Sequence, residues 1–341
     1  MKNFEESTES ILLDHGSGGK ISHDLIAGTL LPLFDNEMLR RLDDGAVLTI
    51  SDTRLAFCTD SFVVDPIFFP GGSIGDLAVN GTVNDLAMCG AVPLYLSVGL
   101  IIEEGFSKSE LDIILKDMAK AAAFTGTMIV TGDTKVVPKG AADRIFINTS
   151  GIGVLPDQID VSGSNAQPND KIILSGTIAD HGMTILSQRS ELAFDAKISS
   201  DTAPLNDLVQ KMLSVTKDIH TLRDPTRGGL ATTLKEIALQ SSVGIRIKEA
   251  DIPIKDPVSG LCEILGFDPL YVANEGKLLA CVPAPQAEKV LSVVKSHPLG
   301  ADACIIGEVT HDRQGQVLLE TGIGGIRIVD MLAGDQLPRI C

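Results

Sequence analysis

The chain reads as an α+β protein built from two α+β units, and three observations carry that reading. Its 341 residues exceed one average domain. Its strand-like segments come grouped in pairs, which fits α+β better than a doubly wound sheet. A turn-rich stretch without sustained period, PDQIDVSGSNAQPND over 156–170, interrupts the pattern near the middle. Each half starts with strands and then sets a helix behind a polar, Gly-containing turn: GDLAVNGTVNDLAMCG in one, RDPTRGGLATTLKEIAL in the other. That is a loose internal likeness only, because no short-period repeat is visible. The expected organisation is a Gly-rich segment over 1–40, an α+β domain over 41–155, a second over 156–330 and a flexible tail over 331–341.

Taken in order, LDHGSGGKIS precedes an amphipathic run, LIAGTLLPLF. AVLTI and RLAFCTDSFVV predict two strands joined by a short polar turn. IGDLAVNGTVNDLAMCGA predicts a helix closed by Gly90 and then Pro93. YLSVGLII follows as a strand. SKSELDIILKDMAKAAAF predicts a helix opened by a capping box, Ser107 with Glu110, and presenting Leu111, Ile114, Leu115, Met118 and Ala122 on one face. TMIVTGDTK and RIFINTSGIGVL complete the first half as strands. The second half predicts a strand at KIILSGT, a His/Gly turn after it, and helices near 204–214 and 229–240. VGIRIK, a short helix over 258–265, LLACVP, a helix over 285–296 and several closing strands finish the chain.

Composition narrows the function. Apolar residues make up 44% and charged residues 21%, the balance of an ordered globular protein. Trp is absent and Tyr occurs twice, so stacking on nucleic-acid bases has almost no material. A formal charge of −17 argues against nucleic acid or an anionic membrane as partner. It does not argue against ATP, whose charge Mg²⁺ and backbone amides offset. Six cysteines at 58, 89, 262, 281, 304 and 341 form no CxxC pair, and five lie in apolar runs where Cys serves as a small core residue. MKNFEESTES lacks a signal pattern and no apolar run reaches membrane-spanning length, so a cytoplasmic, reduced protein is expected. Cys341 stands apart, as a thiol on the last residue of a stretch, QLPRIC, without helical or strand period.

Several acids sit where solvating acids normally do not. Asp43 and Asp44 in RLDDGAVL lie at the mouth of a strand, and Asp60 in FCTDSF lies at a strand end. Asp85 interrupts an apolar helix, Asp133 follows an apolar strand, and Asp224 immediately precedes a helix start. Capping and turn formation account for Asp224 and Asp133. They account poorly for Asp85, because a buried acid between Val83 and Leu86 is expensive unless paired or metal-bound. Several carboxylates beside phosphates suit Mg²⁺. HGSGGK and PTRGGL supply Gly-rich turns whose amides can face an anion, with Lys20 or Arg227 adding charge. Neither is a Walker A loop, and either alone also fits a mobile loop. Glu275 and Lys277 in ANEGKLLA, and Lys135 beside Asp133, each fit ordinary exposed charge as well. His15, His181 and His220 adjoin no Ser or Cys elbow, so no hydrolase triad is visible.

Together LDHGSGGK, DDGAVL, TDSFVVDPIFFPGG, NGTVNDLAMCGA, VTGDTKVV, RDPTRGGL, ANEGKL and the terminal PRIC resemble the HypE-type hydrogenase maturation proteins, over nearly the whole chain and in order. PRIC is the most specific of these blocks; the others are shared more loosely with selenophosphate synthetase and aminoimidazole ribonucleotide synthetase. The resemblance implies a fold of the aminoimidazole ribonucleotide synthetase-like type, with an ATP-binding first domain and a homodimer paired through the first domains. It implies an ATP-dependent carbamoyl dehydratase that makes the cyanide ligands of [NiFe]-hydrogenase. A HypF-type carbamoyltransferase would load the thiol of Cys341, and a HypC–HypD-type iron-carrying complex would accept the cyanide. By that likeness Asp44, Asp60, Asp85 and Asp224 fall on positions that hold Mg²⁺ and ATP phosphates. Lys135 and Glu275 fall in motifs of the dehydration step, with their division of roles open. Asp133 and Lys20 belong to the nucleotide neighbourhood. HGSGGK lacks the Cys or selenocysteine common in selenophosphate synthetases, which speaks against selenide chemistry there. A synthetase acting on a free small molecule and a non-catalytic scaffold remain as alternatives. The first would not need the last residue, and the second would show no ATP-dependent change on a carbamoylated Cys341.

Overall fold

The computed structural model describes residues 10–189, 197–334 and 337–341. Two short helices, α1 (Lys20–Leu25) and α2 (Leu31–Phe34), precede β1 (Ala46–Ile50) and β2 (Thr53–Phe62). A small ribbon, β3 (Phe68–Phe69) with β4 (Gly72–Ser73), leads into α3 (Ile74–Met88). Then come β5 (Val92–Glu103), α4 (Lys108–Thr125), β6 (Met128–Val137) and β7 (Ile145–Val154). Five strands form a sheet in the order β1-β2-β7-β5-β6, antiparallel except for β5 with β6, which α4 joins as a crossover. Alternation puts Ala56, Cys58 and Phe62 of β2 inward. The other face is left uncovered. Phe57, Ile152, Tyr95 and Met128 are successive cross-strand partners there, each 40–57% exposed. β6 is exposed along nearly its whole length and forms one edge of the sheet.

Helix α3 is the wall between the halves. Ser73 caps it, accepting from the Gly75 N–H at 3.3 Å, while Asp76 accepts from the Ser73 N–H at 3.0 Å. Gly75 lets α4 approach closely, since a Cβ there would lie 2.4 Å from the Ile114 carbonyl oxygen. Asn84 of α3 ties the helix to the second half, accepting from the Leu205 N–H at 2.7 Å and donating to the Ala203 carbonyl at 3.1 Å. The helix ends before Gly90, whose φ of 79° is the left-handed conformation that glycine favours. In α4 the expected capping box forms by half. Ser107 accepts from the Glu110 N–H, but the Glu110 carboxylate pairs with Arg144 at 2.5 Å instead of returning to the cap. Ile114, Met118 and Ala122 face inward as expected, whereas Leu115 is 43% exposed.

The second half contains β8 (Lys171–Leu174), α5 (Asp180–Arg189), α6 (Asn206–Val215), β9 (Thr221–Arg223), α7 (Gly229–Gln240) and β10 (Gly244–Lys248). It continues with α8 (Asp256–Leu265), β11 (Leu279–Val282), α9 (Ala284–Ser296), β12 (Cys304–Thr310), β13 (Val317–Glu320) and β14 (Ile326–Val329). Its sheet runs β14-β13-β10-β12-β8-β11-β9. Here both faces are covered. Ile172 and Leu174 pack with Leu234 and Ile237 of α7, while Ile173 and Ala280 pack with α6 and α9. That explains why KIIL and LACV are continuous apolar runs. The segment expected as a His/Gly turn is the first turn of α5 instead. Among the described residues no disulfide forms, and no helix is long and apolar enough to cross a membrane.

Of the tail expected to be flexible over 331–341, residues 335 and 336 lie outside the described residues, and its last residues rest against the first domain. Ile340 and Cys341 are 5% and 7% exposed and join the core cluster of Phe62, Leu77 and Ile185. The Cys341 carbonyl accepts from the Val63 N–H at 2.9 Å, so the chain's end is docked on the first domain.

Candidate functional site

A cavity of about 250 Å³ opens at the seam between the halves. Six acids from different parts of the chain line it, Glu236 of α7 among them. Asp44 comes from the turn before β1, Asp60 from the end of β2, and Asp85 from α3. Asp224 follows β9, and Glu275 sits in the loop before β11. Cys341 lines the same cavity. Asp85 thus has the setting its sequence position demanded, a helical acid facing a polar space rather than the core.

These carboxyls crowd one another away from water. Burial, opposed by Arg223, raises Asp44 to about 8. Burial, again opposed by Arg223, raises Asp224 to about 6. Asp85 is pushed well above the carboxylate range by burial and then by Asp224, Asp60 and Asp44. Glu275 is pushed well up by burial and then by Asp224, Asp201 and Asp60, with Arg227 opposing. Asp60 is raised by burial and lowered in turn by Arg227. Asp44 Oδ2 and Glu275 Oε1 are buried without a hydrogen-bond partner among the described residues. Such a set attracts a cation and suits hard oxygen coordination. It is not a protein-only cage, since no three His, Cys, Asp or Glu side chains among the described residues are gathered closely enough to hold a metal. The expected metal set of Asp44, Asp60, Asp85 and Asp224 therefore shares a cavity without converging on one point.

Two arginines organise the site. Arg223 is nearly buried, with Nε 3.0 Å from Asp44 and Nη2 2.8 Å from Glu236. Arg227 stands between cavities: its Nη1 donates to the Gly16 carbonyl at 3.2 Å and its Nη2 lies 3.8 Å from Asp60. The negative charge of Cys341, and then of Asp60, Glu275 and Asp85, holds the Arg227 guanidinium firmly protonated. Arg223 and Glu236 escaped sequence reading because only folding brings RDP and KEI against DDG. The signal available was the arginine inside TLRDPTRGG.

The Gly-rich N-terminal turn lies over this region. Gly18, at φ 77°, passes so close to Arg227 that a Cβ would lie 2.7 Å from the arginine Cβ. Beyond it a larger cavity of about 830 Å³ shares Gly18, Asp44, Arg223 and Arg227 and adds apolar Leu25, Ile26 and Leu239. Lys20 does not line either cavity. Its backbone N–H donates to the Leu332 carbonyl at 2.8 Å, while its side chain is 64% exposed and pairs with Asp24 at 2.5 Å. Asp133 and Lys135 are also outside the seam: both side chains are 69% exposed on edge strand β6, 2.9 Å from each other. Within one chain the structure brings together Asp44, Asp60, Asp85, Asp224, Glu275 and Cys341, but not Asp133, Lys135 or Lys20.

Known proteins share this architecture. Residues 42–155 match the family of AIR synthase related proteins, N-terminal domain, and 167–320 match the C-terminal domain of the same family. A carbamoyl dehydratase HypE from Azotobacter vinelandii is 50% identical over the full length of both chains. A crystal structure of the hydrogenase maturation protein HypE in complex with ATP is 52% identical, with TM-score 0.82, covering 97% of this chain and all of that one. The structure of a HypE–HypF complex matches at 51% identity and TM-score 0.86, covering 90% of this chain and 99% of that one. A seam cavity of acids reached by a C-terminal thiol, on this fold and at this identity, places the chain in the HypE family: it belongs to the carbamoyl dehydratases of hydrogenase maturation.

Proposed function

We propose that the seam cavity dehydrates a carbamoyl group carried on the chain's own Cys341, with ATP consumed as the substrate that takes up the oxygen. The observation that carries this reading is that Cys341 lines one cavity with Asp60, Asp85, Asp224 and Glu275. The adjoining 830 Å³ cavity has the size and the mixed apolar and polar lining of a nucleotide site. A relative crystallised with ATP supports ATP as the nucleotide bound.

An amide oxygen leaves poorly, and phosphate leaves well. The carbamoyl oxygen of Cys341–S–C(O)NH₂ attacks the γ-phosphorus, the bond to ADP breaks, and one N–H proton departs. The C–O bond then breaks to release phosphate, the second N–H proton departs, and the nitrile of Cys341–S–C≡N forms. Glu275 takes up protons in this scheme, because it lines the thiol's cavity and its Oε1 has no other hydrogen-bond partner among the described residues. Arg227 lies where charge gathers on the moving phosphoryl group. Asp44, Asp60, Asp85 and Asp224 would hold Mg²⁺. The ion would supply neutralisation of the phosphate charge.

Lys135 takes part only if a second copy supplies it. The uncovered apolar row Phe57, Ile152, Tyr95 and Met128 and the exposed edge β6 support a homodimer through the first domains. The relative bound to HypF supports a transferase of that kind as the source of the carbamoyl group. An iron-carrying complex would receive the cyanide. The test is intact mass. The carbamoylated chain should convert to the thiocyanate on addition of ATP and Mg²⁺, and Cys341→Ala should accept no carbamoyl group while still melting cooperatively. A Cys341→Ala chain that accumulates the thiocyanate mass overturns the reading.

A further inference from the structure

The tail is held by its backbone, one carbonyl after another. Arg189, the last residue of α5, donates Nη1 to the Pro338 carbonyl at 2.5 Å and Nη2 to the Arg339 carbonyl. His181, at the opposite end of the same helix, places Nε2 2.7 Å from the Ile340 carbonyl. The Val63 N–H takes the Cys341 carbonyl at 2.9 Å, and the Asp65 N–H takes the Arg339 carbonyl at 3.2 Å. Two backbone N–H groups just beyond β2 therefore meet the tail's carbonyls, with Arg339 turned into the left-handed region at φ 54°. Arg339 fastens it from its own side: Nε donates to the Val63 carbonyl at 2.8 Å, and the guanidinium pairs with Asp143 and lies over the Phe146 ring.

His181 has one tautomer that fits. A carbonyl oxygen only accepts, so Nε2 carries the hydrogen and Nδ1 must accept. The Ser200 hydroxyl, 2.7 Å from Nδ1, is the donor, and its oxygen accepts in turn from the Thr202 N–H at 3.0 Å. The ring is fully buried and packs edge-on to Phe69. Burial also holds His181 below its ordinary value, which keeps the imidazole neutral in this chain of donors. The carbonyl it grips belongs to the peptide bond joining Ile340 to Cys341, while the ring itself lines neither the seam cavity nor its larger neighbour.

We infer that α5 is a two-ended latch, in which His181 and Arg189 are positioning residues that fix Cys341 over the seam cavity for dehydration and whose release presents the thiol to the carbamoyl donor. The inference rests on reading Cys341 as the carbamoyl carrier. Three of the latch bonds use main-chain carbonyls, so the same helix can hold and free the tail whether its thiol is bare, carbamoylated or cyanated.

The experiment uses full-length His181→Ala, His181→Gln and Arg189→Ala chains and two readouts. The first is the alkylation rate of Cys341 by iodoacetamide without ATP, located by peptide mass. The second is single-turnover thiocyanate formation from carbamoylated protein. Loss of one buried hydrogen bond predicts alkylation about tenfold faster in His181→Ala and dehydration about tenfold slower. His181→Gln, which keeps an N–H donor, should recover part of both, and the Tm shift on adding ATP should be unchanged. Alkylation at the wild-type rate in both His181→Ala and Arg189→Ala overturns the latch. So does slowed dehydration without faster alkylation. Should His181→Ala fail to fold, Arg189→Ala carries the same two expectations from the opposite end of α5. If the wild-type chain itself forms no thiocyanate, the dehydration reading fails, and the alkylation arm still decides the latch.

Discussion

Two regions of this chain carry the same residue types and treat them in opposite ways. At the seam, Asp44, Asp60, Asp85, Asp224 and Glu275 are turned toward one another, and burial raises every one of them. On β6, Asp133 stands in water, and its hydrogen bond from Lys135 and from the Thr134 N–H holds it below the ordinary carboxylate value. The seam stores charge in an unfavourable place, which makes sense for a site completed by a cation and phosphates. The strand satisfies its charges locally and needs no ligand. The proposed chemistry therefore rests on the seam, and a role for Lys135 would have to come from how chains associate.

The sharpest way to break this comparison is to neutralise one acid on each side. Asp224→Asn or Asp85→Asn should lower ATP-dependent dehydration by about a thousandfold, the scale of losing preorganised charge at a phosphoryl site. The same variants should raise the Tm of the ligand-free chain by a few degrees, because they remove buried repulsion; a lower ligand-free Tm would contradict the picture. Next in size is a mixing experiment. If a second copy supplies Lys135, Lys135→Ala and Glu275→Gln chains, each inactive alone, should regain turnover when mixed and allowed to exchange partners. No recovery, with exchange confirmed, would place Lys135 outside the reaction or within its own chain's site.

A smaller effect concerns pH. Asp44 and Asp224 titrate in the native chain at about 8 and about 6, above their ordinary value of 3.8. Between those values and 3.8 the native state binds more protons than the unfolded one, so stability falls as pH rises through that window. Thermal melts from mildly acidic to mildly basic pH should show this decline without ligand and a flatter curve with ATP and Mg²⁺. A ligand-free Tm that climbs across the window would argue that the acids are not crowded. Smallest of all is Lys20→Ala, whose exposed ion pair with Asp24 predicts no change in ATP affinity and almost none in Tm.

Much of the fold was legible because it follows period and punctuation. α3 and α7 carry helical pattern up to a Gly or Ser, and the fully buried runs KIIL and LACV stand out as inner strands. The helix α5 was not, because DHGMTILSQR mixes Gly, Thr and Ser into a weak pattern and is held by long-range packing around His181. The acids of the seam were legible as misplaced charge, Asp85 above all. Their supports were not: Arg223 reaches Asp44 across 179 residues of chain, a contact that only the sheet arrangement creates. The tail's docking was not legible for a related reason. QLPRIC has no period of its own, and the docking of its last residues comes from donors on α5 and beyond β2 that bond to main-chain oxygens whatever the side chain.

In the proposed reaction the seam carboxyl Glu275 takes protons from the carbamoyl group carried on the thiol at the chain's own end. Intact mass of the Glu275→Gln chain, carbamoylated and then given ATP and Mg²⁺, tests it directly. That protein should bind ATP, keep its carbamoyl group and form thiocyanate at least about a hundredfold more slowly than wild type. Thiocyanate appearing on Cys341 at the wild-type rate would contradict it.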